Sequence, residues 1–250
     1  MIYKKSPEEI EIMRGAGRIV SETLARLRDA IRPGITTAEL DAVAEQSISA
    51  AGASPSFKGY RGFPASICTS PNDMIVHGIP DETTLHAGDI ISLDVGAFYR
   101  GFHADSAWTF PVGDVAEEAS QLLKVTEEAL SAAIAECHPG NRVGDIGYAV
   151  EQVAHAAGVS VVREYVGHGV GRSLHEEPQV PNYGPPGRRE PLAPGMTLAI
   201  EPMLNLGGPE TRVLDDGWGV VTADGSLSAH FEHTVAVTAD GHEIFTKPAG

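Results

Sequence analysis

The feature that most restricts how this chain can fold is that part of it is written twice. Residues 33–52 laid on 139–158, an offset of 106, coincide at Pro33/Pro139, Gly34/Gly140, Glu45/Glu151, Gln46/Gln152, Ala50/Ala156, Ala51/Ala157 and Gly52/Gly158, seven identities in twenty positions. Leu85-x-x-Gly88 followed by Ile90-Ile91-Ser92-Leu93-Asp94 returns at nearly the same shift, 107, as Leu192-x-x-Gly195 followed by Thr197-Leu198-Ala199-Ile200-Glu201. Each copy is a turn that feeds an apolar strand ending in a carboxylate. One architecture used twice predicts two related halves, roughly 1–112 and 113–250, and the absence of an interdomain linker or low-complexity tract predicts that residues 1–250 form one domain.

The elements within each half follow from local spacing. Ser6-Pro7-Glu8 reads as a helix start, after which Ile10, Met13, Gly17, Val20, Leu24 and Leu27 recur at spacings of three and four until Pro33-Gly34. Thr36 and Glu39 make a capping box for a second helix that stops near Gly52. Leu122, Leu123, Leu130, Ala133 and Ile134 line a third helix, and Val143, Ile146, Val150 and Val153 a fourth that ends at Gly158. Strands are predicted at about 90–98 and 197–204, with partners at about 103–111 and 228–238. Helix pairs alternating with hairpins give an α+β chain. Loops at 53–66 and 176–194, rich in Gly and Pro, are the expected substrate walls.

The chemistry lies in the acids. A carboxylate inside an otherwise apolar strand costs several kcal/mol unless it is paired or metal-bound, and Asp94, Asp105, Glu201 and Glu232 all sit so. His103-Ala104-Asp105 and His230-Phe231-Glu232 repeat an H-x-acid pattern whose period of two puts each His and acid on one face of a strand. Halves packed about a pseudo-twofold axis bring four carboxylates to one point, where mutual repulsion calls for cations; four negative charges balance two divalent ions. Among ten histidines, His168 is flanked by glycines that allow close backbone approach, and His77 and His175 sit in similar Gly or Pro settings, whereas His86, His138, His155 and His242 read as turn or helix-surface residues. An oxygen-rich set with one imidazole and no thiolate favours Mn(II), Fe(II), Co(II) or Zn(II) over a closed structural zinc site, and a pair of such ions is equipment for hydrolysis.

Composition narrows the partners. Eighteen Lys plus Arg against 34 Asp plus Glu leave a net charge of −16, which repels phosphate backbones and argues against nucleic-acid or anionic-membrane binding. Cys68 and Cys137 lack metal-site spacing and read as free thiols of a reducing compartment, and the N-terminus lacks an apolar signal core, so a cytoplasmic protein is expected.

The segments around 68–81, 94–105, 167–183, 199–203 and 226–234 closely resemble type I methionine aminopeptidases, of the pita-bread metallopeptidase fold, over nearly the whole chain. The resemblance implies a curved antiparallel sheet covered by helices in two pseudo-twofold halves. It implies that Asp94 chelates one metal, that Asp105 and Glu232 bridge both, and that His168 and Glu201 complete the other, with Glu201 also taking the proton from the attacking water. His77 then contacts the scissile amide nitrogen and His175 the carbonyl oxygen, while Tyr60, Phe63, Cys68 and Trp218 line a methionine pocket. Phe57 stands where many relatives carry Cys, Leu174 where many carry Phe, and Gly96 replaces a Thr or similar residue beside Asp94; the larger Phe57 and smaller Leu174 compensate in volume. The implied activity is removal of the initiator methionine from nascent chains with a small second residue, by a monomer in transient contact with the ribosome. Ile2 is bulky, so Met1 is expected to be retained. Proline-specific aminopeptidases and prolidases share the ligands but usually carry a further N-terminal domain, and Ser6 here starts the first helix pair at once. A metal-free pita-bread binding protein lacks ligands, and here none is missing.

Overall fold

The structure, a computed structural model, describes residues 2–247; Met1, and with it the expected retention, lies outside the described residues. Helix α1 (Pro7–Ala30) begins with a reciprocal cap: the Ser6 hydroxyl accepts from the Glu9 N–H and the Glu9 carboxylate accepts from the Ser6 N–H. Thr36 and Glu39 repeat the device at α2 (Thr37–Ala50). Helix α3 (Glu117–Ala135) follows, and α4 (Val143–Ala157) is stopped by Gly158 at φ +71°, a left-handed position that favours glycine. All four helices are those the spacing predicts, with α1 ending at Ala30, three residues short of Pro33.

Each helix pair covers part of an antiparallel sheet. Ile19, Val20, Leu24 and Leu27 of α1 and Leu40, Ala44 and Ile48 of α2 bury against Ile91, Leu93, Val95 and Ala97. Leu122, Leu130, Ile146 and Val150 of the second pair bury against Leu198, Ile200, Leu204 and Val235. Burying a Leu, Ile or Val is worth about 1.5–3 kcal/mol each, so these two clusters supply much of the drive that holds the helices on the sheet.

Strands Ile90–Tyr99 and Phe102–Pro111 pair without interruption from Ile90↔Pro111 to Tyr99↔Phe102, joined at Arg100-Gly101, both at positive φ as a two-residue hairpin turn requires. Residues opposite one another share a face, so Asp94, Gly96 and Phe98 lie with Ala107, Asp105 and His103, away from the helix-facing Leu93, Val95 and Ala97. Asp94 is thus in the middle of its strand, which runs Ile90–Tyr99 where about 90–98 is expected. Strand Ile67–Pro71 pairs along the other edge and sets Cys68 opposite Asp94.

The second half departs from the predicted continuous hairpin. Each expected strand is split, into Thr197–Ile200 and Met203–Asn205 and into Ser228–His230 and His233–Val237, and the parts pair in two different ladders. The breaks fall at Glu201-Pro202 and Phe231-Glu232; Pro202 has no N–H to continue the ladder. Both breaks leave an acid just outside regular pairing.

Hydrogen bonds stitch the strand Phe102–Pro111 to these broken segments. The Glu232 N–H donates to the Ala107 carbonyl at 2.8 Å, the Ser106 hydroxyl donates to the Glu232 carbonyl, the Asp105 N–H donates to Thr234 Oγ1 at 3.0 Å, and Thr109 Oγ1 both accepts from the His230 N–H and donates to its carbonyl at 2.9 Å. No helix among the described residues is long and apolar enough to cross a membrane. His86 and His155 are exposed, His138 is half-buried, and His242 opens the strand His242–Ile244 instead of sitting in a turn.

Candidate metal centre

The stitched seam brings the acids together. Ligand atoms of Asp105, His168 and Glu232, all buried, lie within 4.8 Å of one another. His168 Nε2 is 3.6 Å from Asp105 Oδ2 and 3.5 Å from Glu201 Oε1. Its Nδ1 donates to the Gly169 carbonyl at 2.8 Å; a carbonyl only accepts, so Nδ1 carries the proton and Nε2 turns a lone pair toward the acids. Burial lowers the His168 pKa to about 4, which keeps the ring neutral. The Asn182 amide donates to the Glu201 carbonyl at 2.9 Å and fixes the backbone at the strand break.

The residues present fit divalent cations. Asp94 Oδ1 is buried without a hydrogen-bond partner, which is costly for a carboxylate unless a cation meets it. Burial, followed by the charges of neighbouring acids, pushes Asp94, Glu201 and Glu232 well above the usual carboxylate range, and burial lifts Asp105 to about 6. Among the described residues no Lys lines the cavity, and the Arg that does, Arg61, is at the mouth. The Cys68 thiol, raised by burial and then by Asp94 and Glu232, stays protonated and is no competing ligand. Hard oxygen donors, one neutral imidazole and a surplus of negative charge suit Mn, Fe, Co or Zn.

Against the cluster lies an apolar slot. One cavity of about 160 Å³ is lined by Asp94, Asp105, His168, Glu201 and Glu232, by His77 and His175, and by Phe57, Tyr60, Phe63, Cys68, Leu174 and Trp218. Phe63 and Trp218 meet edge to face at 5.0 Å and close one end. His77, half-buried at φ +63°, is kept neutral by burial, its pKa near 4; Gly78 beside it packs so tightly on the Thr69 carbonyl that a Cβ would sit 2.0 Å away. His175 stands at the exposed mouth, its Nδ1 2.9 Å from the Tyr60 hydroxyl and its ring 4.1 Å from that of His168; desolvation and then the neighbouring His168 lower its pKa.

Gly96 explains Phe57. A Cβ at 96 would come within 2.8 Å of both the Phe57 ring and Ser56 Cβ, so the absent side chain is what lets the ring lie against the sheet beside Asp105. What the structure adds to the sequence reading is this direct contact between Gly96 and Phe57. The expected walls are met only in part. Loop 53–66 supplies Phe57, Tyr60 and Phe63, but none of 176–194 lines the cavity; Leu174, His175 and Trp218 form that side instead.

The sequence of residues 11–239 matches the family model for metallopeptidase family M24. The chain belongs to metallopeptidase family M24. Methionine aminopeptidase 1 of Bacillus subtilis is 53% identical over 247 residues, covering 99% of this chain and all of that one. The crystal structure of methionine aminopeptidase from Thermotoga maritima superposes with a TM-score of 0.97 at 45% identity, over 99% of this chain and 100% of that one. Prolidase from Pyrococcus furiosus, at 23% identity and a TM-score of 0.81, shares the fold alone.

Sequence reasoning missed several residues of this M24 site. Arg61 projects at the mouth from a turn in which Gly59, Arg61 and Gly62 all have positive φ, a signal no motif carries. Asn182, Ser106 and Thr234 act through backbone groups far away in sequence, and His230 was noticed only as half of a pattern.

Proposed function

We propose that this chain removes the initiator methionine from nascent proteins whose second residue is small. The observation that carries the reading is one cavity in which an apolar, ring-walled slot adjoins the acid cluster. The slot takes one unbranched side chain, and a peptide so seated leaves its α-amino group and first carbonyl beside the carboxylates.

In this reading Asp94, Asp105, His168, Glu201 and Glu232 would together hold two divalent ions, with Asp94 serving one, His168 and Glu201 the other, and Asp105 and Glu232 shared between them. When bound, such ions neutralise the acids, acidify a water to near neutral pH and polarise a carbonyl. Glu201, whose affinity for protons is raised by burial and by Asp94 and Asp105, takes the proton of the attacking water. His175 reaches from the mouth to hydrogen-bond the peptide carbonyl oxygen as it gains charge, held by Tyr60. Neutral His77 contacts the scissile amide nitrogen. The working unit is residues 1–250 as one duplicated domain, a cytoplasmic monomer meeting N-termini at the ribosome, loaded with Mn, Fe, Co or Zn.

Protein reconstituted with each metal is expected to release Met from Met-Ala-Ser and to leave Ala-Pro peptides intact. Cleavage of Ala-Pro would favour a proline-specific enzyme, and inert protein that takes up no metal would favour a binding module. Glu232→Ala should lose a bridging carboxylate and nearly all turnover; normal activity would refute the assignment. His175→Ala should keep its metal content but lose roughly 10²–10³ in kcat, the usual cost of one oxyanion donor; an unchanged kcat removes His175 from that role.

A further inference from the structure

The H-x-acid pattern holds a histidine for which the proposed reaction has no use. Its first copy is spent structurally: His103 Nδ1 lies 2.9 Å from the Ser56 hydroxyl, and its ring packs on Phe98. His230, in the second copy, is 2% exposed, and its Nε2 is buried without a hydrogen-bond partner, 3.5 Å from Glu201 Oε2. Glu201 is thus flanked by two imidazoles, His168 facing Oε1 and His230 facing Oε2.

The two sides are not equivalent. Toward Oε1, the His168 proton is committed to Gly169, so a lone pair meets a carboxylate and the space between suits a cation. Toward Oε2, the backbone N–H and carbonyl of His230 are both taken by Thr109 Oγ1, which pins the residue beside Glu201. Of its two ring nitrogens, Nε2 is the one that faces the carboxylate, and it has no other partner. Once cations hold Glu201 ionised, a bare Nε2 would set two lone-pair groups against each other in a site closed to solvent; a proton on Nε2 instead completes, after a small movement, a hydrogen bond to a charged acceptor, which is worth more than a neutral one.

We propose that His230 is a positioning residue for Glu201: it carries its proton on Nε2 and donates to Oε2, fixing the rotation of the carboxylate so that Oε1 addresses His168 and the cluster. The inference rests on the role of Glu201 given above. A proton acceptor that swings between rotations spends less time aligned with the attacking water, and outer groups that orient such carboxylates are worth roughly 10–100-fold in activity or metal affinity.

Two measurements test it. Long-range ¹H–¹⁵N correlation on the full chain loaded with diamagnetic Zn(II) and labelled with ¹⁵N-histidine, assigned with His230→Gln, is expected to show a protonated Nε2 and a bare Nδ1; a bare Nε2 overturns the proposal. In the metal-loaded enzyme, His230→Leu should lower kcat roughly 10–100-fold with KM within about threefold, and His230→Gln, which keeps an amide donor, should recover most of it. Equal losses in both variants, or a change confined to KM, would assign His230 to packing. If the Leu variant does not fold, the tautomer and the Gln variant decide. Failure to release Met from peptides would sink the functional reading while leaving the tautomer result intact, so the two can fail separately.

Discussion

Replacing Asp105 by Asn should stabilise the metal-free protein at neutral pH. Asp105 is 3% exposed, and burial lifts its pKa from 3.8 to about 6. That rise of about 2 units, at 1.36 kcal/mol per unit, makes ionised Asp105 a liability of about 3 kcal/mol in the folded chain. The folded pKa lies above the unfolded one, so the folded state binds the proton more tightly. The penalty is absent below pH 3.8, grows as pH rises toward 6, and is complete at pH 7. Asn keeps the shape, lets Thr234 Oγ1 remain at the side chain, and turns an N–H₂ toward the other acids. Calorimetry in a chelator at pH 7 should place the Tm of Asp105→Asn roughly 6–12 °C above that of the parent, at 2–4 °C per kcal/mol for a chain of this size. The gap should close at pH 4. With excess divalent metal the order should reverse, because the parent alone gains the full binding term. A variant no more stable than the parent in chelator at pH 7, or a gap that persists at pH 4, would refute the view that burial makes ionised Asp105 a liability until cations arrive.

Gly96→Ala should push the Phe57 ring and Ser56, raise KM for methionyl peptides severalfold and destabilise by about 1–3 kcal/mol; unchanged KM and Tm would show that the contact relaxes freely. Lys5 and Glu176, 4% and 8% exposed at the side chain, form an ion pair at 2.6 Å that ties the N-terminal segment to the turn bearing Leu174 and His175. Lys5→Met strands a buried charge and should cost about 3–5 kcal/mol in urea unfolding, with kcat falling more than metal affinity; a loss below about 1 kcal/mol would show that water reaches Glu176.

How much was legible depends on the range of the interaction. Ser6/Glu9 and Thr36/Glu39 satisfy each other across three residues, so α1 and α2 could be read directly. The acids were legible because duplication displayed each twice in an apolar run, where a single copy would have passed for an ordinary strand end. The splitting of the second hairpin was not anticipated, although Pro202 announced it, because the match to Ile90–Asp94 favoured a continuous strand. The fit of Phe57 into the space left by Gly96 joins positions 39 apart, and nothing local encodes it. His230 illustrates the opposite failure: its pattern was seen, but only the third dimension separates it from His103, since one ring finds a hydroxyl and the other a carboxylate.

The seam between Phe102–Pro111 and residues 228–234 has a consequence for the order of events during synthesis. Asp94 and Asp105 emerge early, while Glu232 and the Thr234 hydroxyl that braces Asp105 leave the exit tunnel long after them. A chain interrupted anywhere before this point holds an open claw without Glu232 and without the Thr234 brace on Asp105. Capture of the metals therefore waits on residues 228–234, and a hydrolase of this design is born inactive and armed only when that stretch docks on Phe102–Pro111.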